Sequence, residues 1–169
     1  TIADESFGLL SLTRGRYREA LVRMESACRS YERLQMPQQL AIAEKQLADA
    51  YLELRLLPES LAGLDTALER FQALDMPFYQ ACTQVQRGRA LAMAGRASAA
   101  EAALLEGAAL FAALGNAGGA AAIALARAEM ALVAGDAARA TTLASAADAG
   151  FQHAGLVERH LRAAVVGAQ

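Results

Sequence analysis

The sequence predicts an all-α fold in which pairs of helices repeat along the chain. Three observations carry this prediction: the composition, a repeat of 40 residues, and two turn signals in each repeat. Hydrophobic residues make up 55% of the 169 residues, and many of them are alanine, the strongest helix former. Only three prolines interrupt the chain. The composition therefore favours helices over strands.

The repeat appears without gaps in four columns of residues spaced by 40. One column is aromatic, and three hold small residues. The members are Tyr31, Phe71, Phe111 and Phe151; Gly8, Ala48, Gly88 and Ala128; Ala20, Ser60, Ala100 and Ala140; and Ala27, Ala67, Gly107 and Ala147. Small side chains let two helix backbones approach to the short end of the usual range of about 8–10 Å. The small-residue columns therefore predict close helix crossings.

Two turn signals divide each repeat into a first helix, A, and a second helix, B. Pro37 and Pro77 can begin a helix, because the first turn does not use the missing N–H. Glycine can end one, because it adopts the left-handed conformation at little cost. The glycines at such ends are Gly15, Gly95 and Gly135, with Arg55 in the slot of one copy, and Gly115 and Gly155 at the other turn.

These signals predict the helix boundaries. The A helices are expected at about 37–54, 77–94 and 117–134, and the B helices at about 17–33, 57–73, 97–113 and 137–152. A partial A helix is expected at 2–14 and a closing helix at 156–167.

The columns resemble the tetratricopeptide repeat (TPR), which places small and large apolar residues at fixed positions of each helix pair. The matching residues are Leu47, Ala48, Tyr51, Ser60, Leu64 and Ala67 in one copy, and Phe7, Gly8, Ala20, Met24 and Ala27 in another. The 40-residue period is similar to the subclass found in bacterial regulators, in cell-polarity scaffolds and beside caspase-like (CHAT-type) peptidase domains. Armadillo and HEAT repeats also have periods in this range and remain the alternative fold.

The resemblance implies a right-handed α–α superhelix, or solenoid, of about four helix hairpins. It also implies one TPR-like domain over residues 1–169. The repeats are expected at about 1–36, 37–76, 77–116 and 117–155, followed by the closing helix. The start at Thr1 and the degenerate fourth repeat predict that the chain is a fragment of a larger protein.

Composition argues against several kinds of partner and site. A net charge of −2 without a basic stripe argues against nucleic acid. No apolar run reaches the roughly 18 residues of a membrane span. Arg outnumbers Lys, of which Lys45 is the only one, and this bias with the alanine content indicates a bacterial genome. Cys28 and Cys82 have no metal-ligand spacing; a disulfide is possible, but free thiols of a cytoplasmic protein are favoured.

The sequence shows no catalytic or metal-binding constellation, so we expect neither enzymatic activity nor a cofactor. His153 and His160 lack an obvious third ligand, and surface histidines near a helix end are the favoured interpretation. The glycine-rich stretch 115–119 lacks the Lys-Ser/Thr pair of a phosphate-binding loop. It is therefore interpreted as an interhelical turn.

The resemblance instead implies a binding groove lined by the A helices, for an extended or helical peptide. Its positions in this chain are Lys45, Gln46 and Asp49; Val85, Gln86, Arg89 and Met93; and Leu125, Glu129 and Leu132. The polar members could form hydrogen bonds with the backbone of a bound peptide, and the apolar members could contact its side chains. The family's carboxylate clamp of Lys and Asn is not matched, because Lys45 stands alone and Asp49 and Arg89 occupy the Asn-type column.

Two functions follow from this pattern. The first is a protein-interaction scaffold, and the second is a regulatory arm of a multidomain signalling protein, such as a transcription regulator, an ATPase or a CHAT-type peptidase. A small-molecule sensor should have a closed polar pocket, whereas a scaffold should have an open groove. Self-association is left open. So is an intramolecular ladder of ion pairs among Lys45, Asp49, Arg89 and Glu129.

Overall fold

The computed structural model describes residues 15–155, and this part of the chain consists of helices joined by short turns. Seven helices of 17 residues each follow one another: Tyr17–Arg33 (α1), Pro37–Glu53 (α2), Leu57–Ala73 (α3), Pro77–Met93 (α4), Ala97–Ala113 (α5), Ala117–Val133 (α6) and Ala137–His153 (α7). Each predicted boundary in this range is confirmed to within one residue. The helices predicted at 2–14 and 156–167 lie outside the described residues. None of the seven helices has the length and hydropathy to cross a membrane.

The helices form two compact units, divided between Tyr79 and Gln80 inside α4. The core of the first unit contains Ala27, Tyr31, Leu40 and Ala43, and a second cluster of Ala41, Ala67 and Phe71. The core of the second unit contains Ala81, Val85, Leu104, Phe111, Ile123 and Ala126, and a further cluster of Ala121, Leu125, Ala147 and Phe151. The aromatic column is therefore buried within the units. The arrangement as one domain stays a prediction.

Small residues mark the places where helices come closest. A Cβ atom added to Gly88 of α4 would lie 2.6 Å from Cγ of Leu104 on α5. In the first unit, a Cβ atom at Gly63 would lie 2.9 Å from the Cβ of Ala48. Both separations are shorter than van der Waals contact. The neighbouring helix therefore leaves room for glycine at these two positions but not for a larger side chain. The small residue at position 88 is required by packing.

Replacement of Gly88 by leucine tests this packing. We expect Gly88→Leu to lower the free energy of unfolding by roughly 1–3 kcal/mol, because overpacking outweighs the gain in helix propensity. Chemical denaturation measures the change. Ala102→Leu is the control, because Ala102 is exposed on α5. Equal stability of the Gly88→Leu and wild-type proteins would contradict the close crossing.

Each described helix is followed by a left-handed residue, and the turn after α1 shows the geometry. Met36 N donates to Tyr31 O and Gln35 N to Glu32 O, each at 3.0 Å, which is the Schellman pattern with a left-handed residue at position 35. Left-handed residues recur every 20 residues: Gly15, Gln35, Arg55, Asp75, Gly95, Gly115, Gly135 and Gly155. The predicted glycine stops at Gly95, Gly115, Gly135 and Gly155 are confirmed. Gly15 has the expected left-handed conformation, but the helix that it would end lies outside the described residues. The sequence pattern missed that the turns before Pro37 and Pro77 use the same geometry.

The three left-handed residues that are not glycine carry a backbone cost of roughly 1–2 kcal/mol each. Arg55, with φ of 62°, is exposed. We expect Arg55→Gly to raise the free energy of unfolding by about 1 kcal/mol, partly offset by the greater freedom of glycine in the unfolded chain. Thermal and urea denaturation measure it. Arg55→Ala keeps the Cβ atom, and a stability matching that of Arg55→Gly would show that backbone strain is not the cause.

Candidate functional site

In the first unit, the predicted groove residues lie on α2 and are half-buried. The ammonium Nζ of Lys45 lies 2.6 Å from Oδ2 of Asp49, one helical turn away. Gln46 lies beside them in the same helix. Lys45 and Asp49 therefore form an ion pair within one helix. This is one of the intramolecular ion pairs that the sequence left open as an alternative to partner binding.

In the second unit, two of the predicted groove residues are in the core. Val85 is 8% exposed and belongs to the cluster with Leu104 and Phe111. Leu125 is 3% exposed and belongs to the cluster with Ala147 and Phe151. The expectation that Val85 and Leu125 receive a partner's side chains is corrected here. Val85 packs in the cluster that includes Leu104 of α5, and Leu125 packs in the cluster that includes Phe151 of α7, so both side chains contribute to helix–helix packing.

Three other predicted residues, Arg89, Met93 and Glu129, come together around a pocket of about 430 Å³. We call it the α4–α6 pocket, and its lining is Arg89, Ala92, Met93, Gly95, Ala97, Leu104, Ala126, Glu129, Met130, Val133 and Ala134. The pocket lies at the C-terminal ends of α4 and α6, with α5 contributing Ala97 and Leu104. The two outer helices contribute matching positions, because Glu129 and Val133 follow Arg89 and Met93 by one 40-residue repeat.

The pocket wall is apolar except for one charged side chain from α4 and one from α6. Arg89 and Glu129 are its only charged lining residues. Val133 is 90% exposed and Met93 is 37% exposed, so apolar side chains stand at the mouth. Arg89 donates from Nη1 to Oε1 of Gln86, 3.3 Å away on the same helix. Such a wall can bind apolar groups and can pair with charges of either sign.

The sequence prediction reached only part of this wall. Val133, Met130 and Ala126 line the pocket but were not among the predicted site residues. Val133 could have been found, because it follows the predicted Met93 by one repeat. Leu132, which was predicted, is half-buried and lies outside the pocket lining.

A charge cluster of the second unit joins three helices. Glu101 of α5 accepts at Oε1 from Arg127 of α6, with Nε at 3.0 Å and Nη2 at 2.5 Å. Arg139 of α7 donates from Nη2 to the same oxygen at 2.8 Å. These bonds, from Arg127 first, hold the pKa of Glu101 below its ordinary value of 4.5 against the opposing effect of burial. The cluster therefore stabilises the folded unit when Glu101 is ionised.

The contribution of Glu101 to the free energy of unfolding should depend on pH. Its folded pKa is below 4.5, so the stabilisation is complete above pH 4.5 and is lost as pH falls through the folded pKa. We expect Glu101→Gln to lower the free energy of unfolding by about 1 kcal/mol at pH 7. Urea denaturation at pH 7 and pH 3 should show the difference from wild type shrinking in acid. Glu69→Gln, at an exposed carboxylate of α3, is the control, and an equal loss at both pH values would contradict the assignment.

The other candidate features have structural roles or show no site. The amide N of Gly119 donates to Oδ1 of Asn116 at 2.7 Å, so stretch 115–119 is a turn followed by a helix cap. His153 is exposed at the end of α7, and His160 lies outside the described residues. Within residues 15–155, no three His, Cys, Asp or Glu side chains are grouped so that they could hold a metal ion.

Comparison with known proteins identifies the fold. No protein-family model matches the sequence, and no curated protein matches it. Among solved structures, BtubC (BKLC) from P. vanneervenii is similar with a TM-score of 0.77 and 17% identity, over 94% of this chain and 68% of that protein. The nearly identical TPR-like repeats of a Podosopora anserina protein assigned to the kinesin light chains are similar with a TM-score of 0.71 and 15% identity, over 98% of this chain and 94% of that one.

A point-substituted form of the Podosopora anserina protein gives a TM-score of 0.73 and 15% identity, over 99% of this chain and 86% of that one. At these identities the likeness concerns the fold alone. The chain therefore has an all-α, TPR-like helical-repeat fold of the solenoid class, as its columns predict.

Proposed function

We propose that this protein is an interaction scaffold that binds a segment of another protein in the α4–α6 pocket. The observation that carries the proposal is the apolar wall with Val133 90% exposed at its mouth. Exposed apolar surface in a concave site gains free energy when a partner covers it, at about 25 cal/mol per Å². The TPR-like fold supports the same class of function.

Each outer helix supplies one apolar and one charged contact. Met93 and Val133 are proposed to contact apolar side chains of the partner, and Arg89 and Glu129 to pair with its charges. Gln86 accepts from Arg89 and orients the guanidinium. In the first unit, Lys45, Gln46 and Asp49 are proposed as a separate polar contact surface. Leu132 is proposed as a contact beside the pocket.

The chemistry of the pocket favours the scaffold over a small-molecule sensor. A sensor for a polar ligand requires a closed pocket with several polar groups placed to fix the ligand. Apart from Arg89 and Glu129, the α4–α6 pocket is lined by Ala, Gly, Leu, Met and Val residues, and exposed apolar residues stand at its mouth. This wall suits the apolar side chains of a polypeptide.

Selection from a random-peptide display library tests the proposal. Peptides are selected on the wild-type protein, and their affinity is then measured for Val133→Asp and Arg89→Glu. We expect Val133→Asp to weaken binding at least tenfold, because it places a charge at the apolar mouth, about 1.4 kcal/mol per factor of ten. We expect Arg89→Glu to weaken acidic peptides while leaving folding intact.

Leu105→Asp is the matched control. Leu105 is 48% exposed on α5 in the same unit, but it is not part of the pocket lining. Circular dichroism verifies that each variant is folded. The proposal is wrong if the selected peptides bind Val133→Asp as tightly as wild type, or if Leu105→Asp weakens them equally.

A further inference from the structure

The α4–α6 pocket also constrains the form of the partner. We infer that its occupant is an amphipathic helix whose apolar stripe has acidic side chains along one edge and basic side chains along the other. This inference rests on the proposed function, because it names the partner of the same pocket.

The helical form follows from the hydrogen-bonding groups of the wall. Among the lining side chains, Arg89 and Glu129 alone offer strong donors or acceptors. An extended peptide pressed into this wall would lose water from its backbone N–H and C=O groups and would meet few polar groups to replace it, which is costly for each group left unpaired. A helix satisfies these groups internally and presents only side chains. The wall is therefore suited to a helix.

The two edges of the partner follow from the charges of the two outer helices. Arg89 projects from α4 and Glu129 from α6, at matching positions of successive repeats. A helix lying between α4 and α6 would place one edge near each of them. Acidic side chains fit the α4 edge and basic side chains the α6 edge, because like charges brought together in a partly desolvated site are unfavourable.

The distance between the charged and the apolar residue on each wall sets the distance between the matching side chains on the partner. Met93 follows Arg89 by four residues, and Val133 follows Glu129 by four. Four residues of helix rise about 6 Å. The charged groups of the partner should therefore lie about one turn from its apolar anchor. An apolar stripe at i, i+3, i+4 and i+7, with charges beside it, has this geometry.

Three synthetic peptides of about five helical turns test the inference. They share one leucine stripe and differ in the two edges: one acidic and one basic edge (mixed), two acidic edges, or two basic edges. Binding is measured by fluorescence anisotropy at low salt, where charge effects are least screened. We expect the wild type to bind the mixed peptide about three- to tenfold more tightly than the other two.

Charge reversal on the protein should redirect this preference. In Arg89→Glu both walls are acidic, so the peptide with two basic edges should become the tightest. In Glu129→Arg both walls are basic, so the peptide with two acidic edges should become the tightest. A ranking of the three peptides that is the same in wild type and both variants would overturn the assignment of the edges.

Two further measurements separate the inference from the proposed function. A mixed peptide with a central proline has the same charges but cannot form a continuous helix. We expect it to bind at least tenfold more weakly, and equal binding would overturn the helical form while leaving the pocket as a binding site. Val133→Ser, which removes the apolar contact without adding a charge, should weaken all three peptides. If it weakens none of them, the pocket itself is not the site and the proposed function fails.

Discussion

The turn that ends each helix is the constraint on which the rest of the described structure depends. A 17-residue helix followed by a left-handed residue at every twentieth position gives each hairpin the same length. Residues 40 apart then occupy matching places on successive hairpins, so a single column can serve one role throughout. The aromatic column is buried late in each B helix for this reason. The same register places Arg89 opposite its counterpart Glu129 around one pocket.

Close packing at small residues is the second constraint. The crossing of α4 and α5 leaves no space for a side chain at Gly88, so the position of α4 is tightly defined. With α4 and α6 both held by their buried faces, the residues at their C-terminal ends are presented in fixed places. Met93 and Val133 are exposed because they lie beyond the buried stretch of each helix. In the proposed function, apolar side chains held in this way limit the entropy that binding costs.

Charges in the second unit serve two different purposes. Glu101 ties α5 to α6 and α7 through Arg127 and Arg139, and this cluster stabilises the fold. Arg89 and Glu129 line the pocket, where they are proposed to pair with the charges of a partner. In the first unit, Glu44 of α2 and Arg70 of α3 are 2.6 Å apart, yet burial raises the pKa of Glu44. Opposite charge alone therefore does not decide the protonation of a half-buried carboxyl.

The sequence by itself determined the helices and their ends, because proline, glycine and the 40-residue columns act through local backbone geometry and short-range packing. It also located the pocket in part, through Arg89, Met93 and Glu129. Only the tertiary structure decided that Val85 and Leu125 are core residues and that Val133 is exposed. An A helix packs on more than one neighbour, so its apolar residues do not all share one face. Which of them are buried depends on the helices beside it, and a linear pattern does not contain that information.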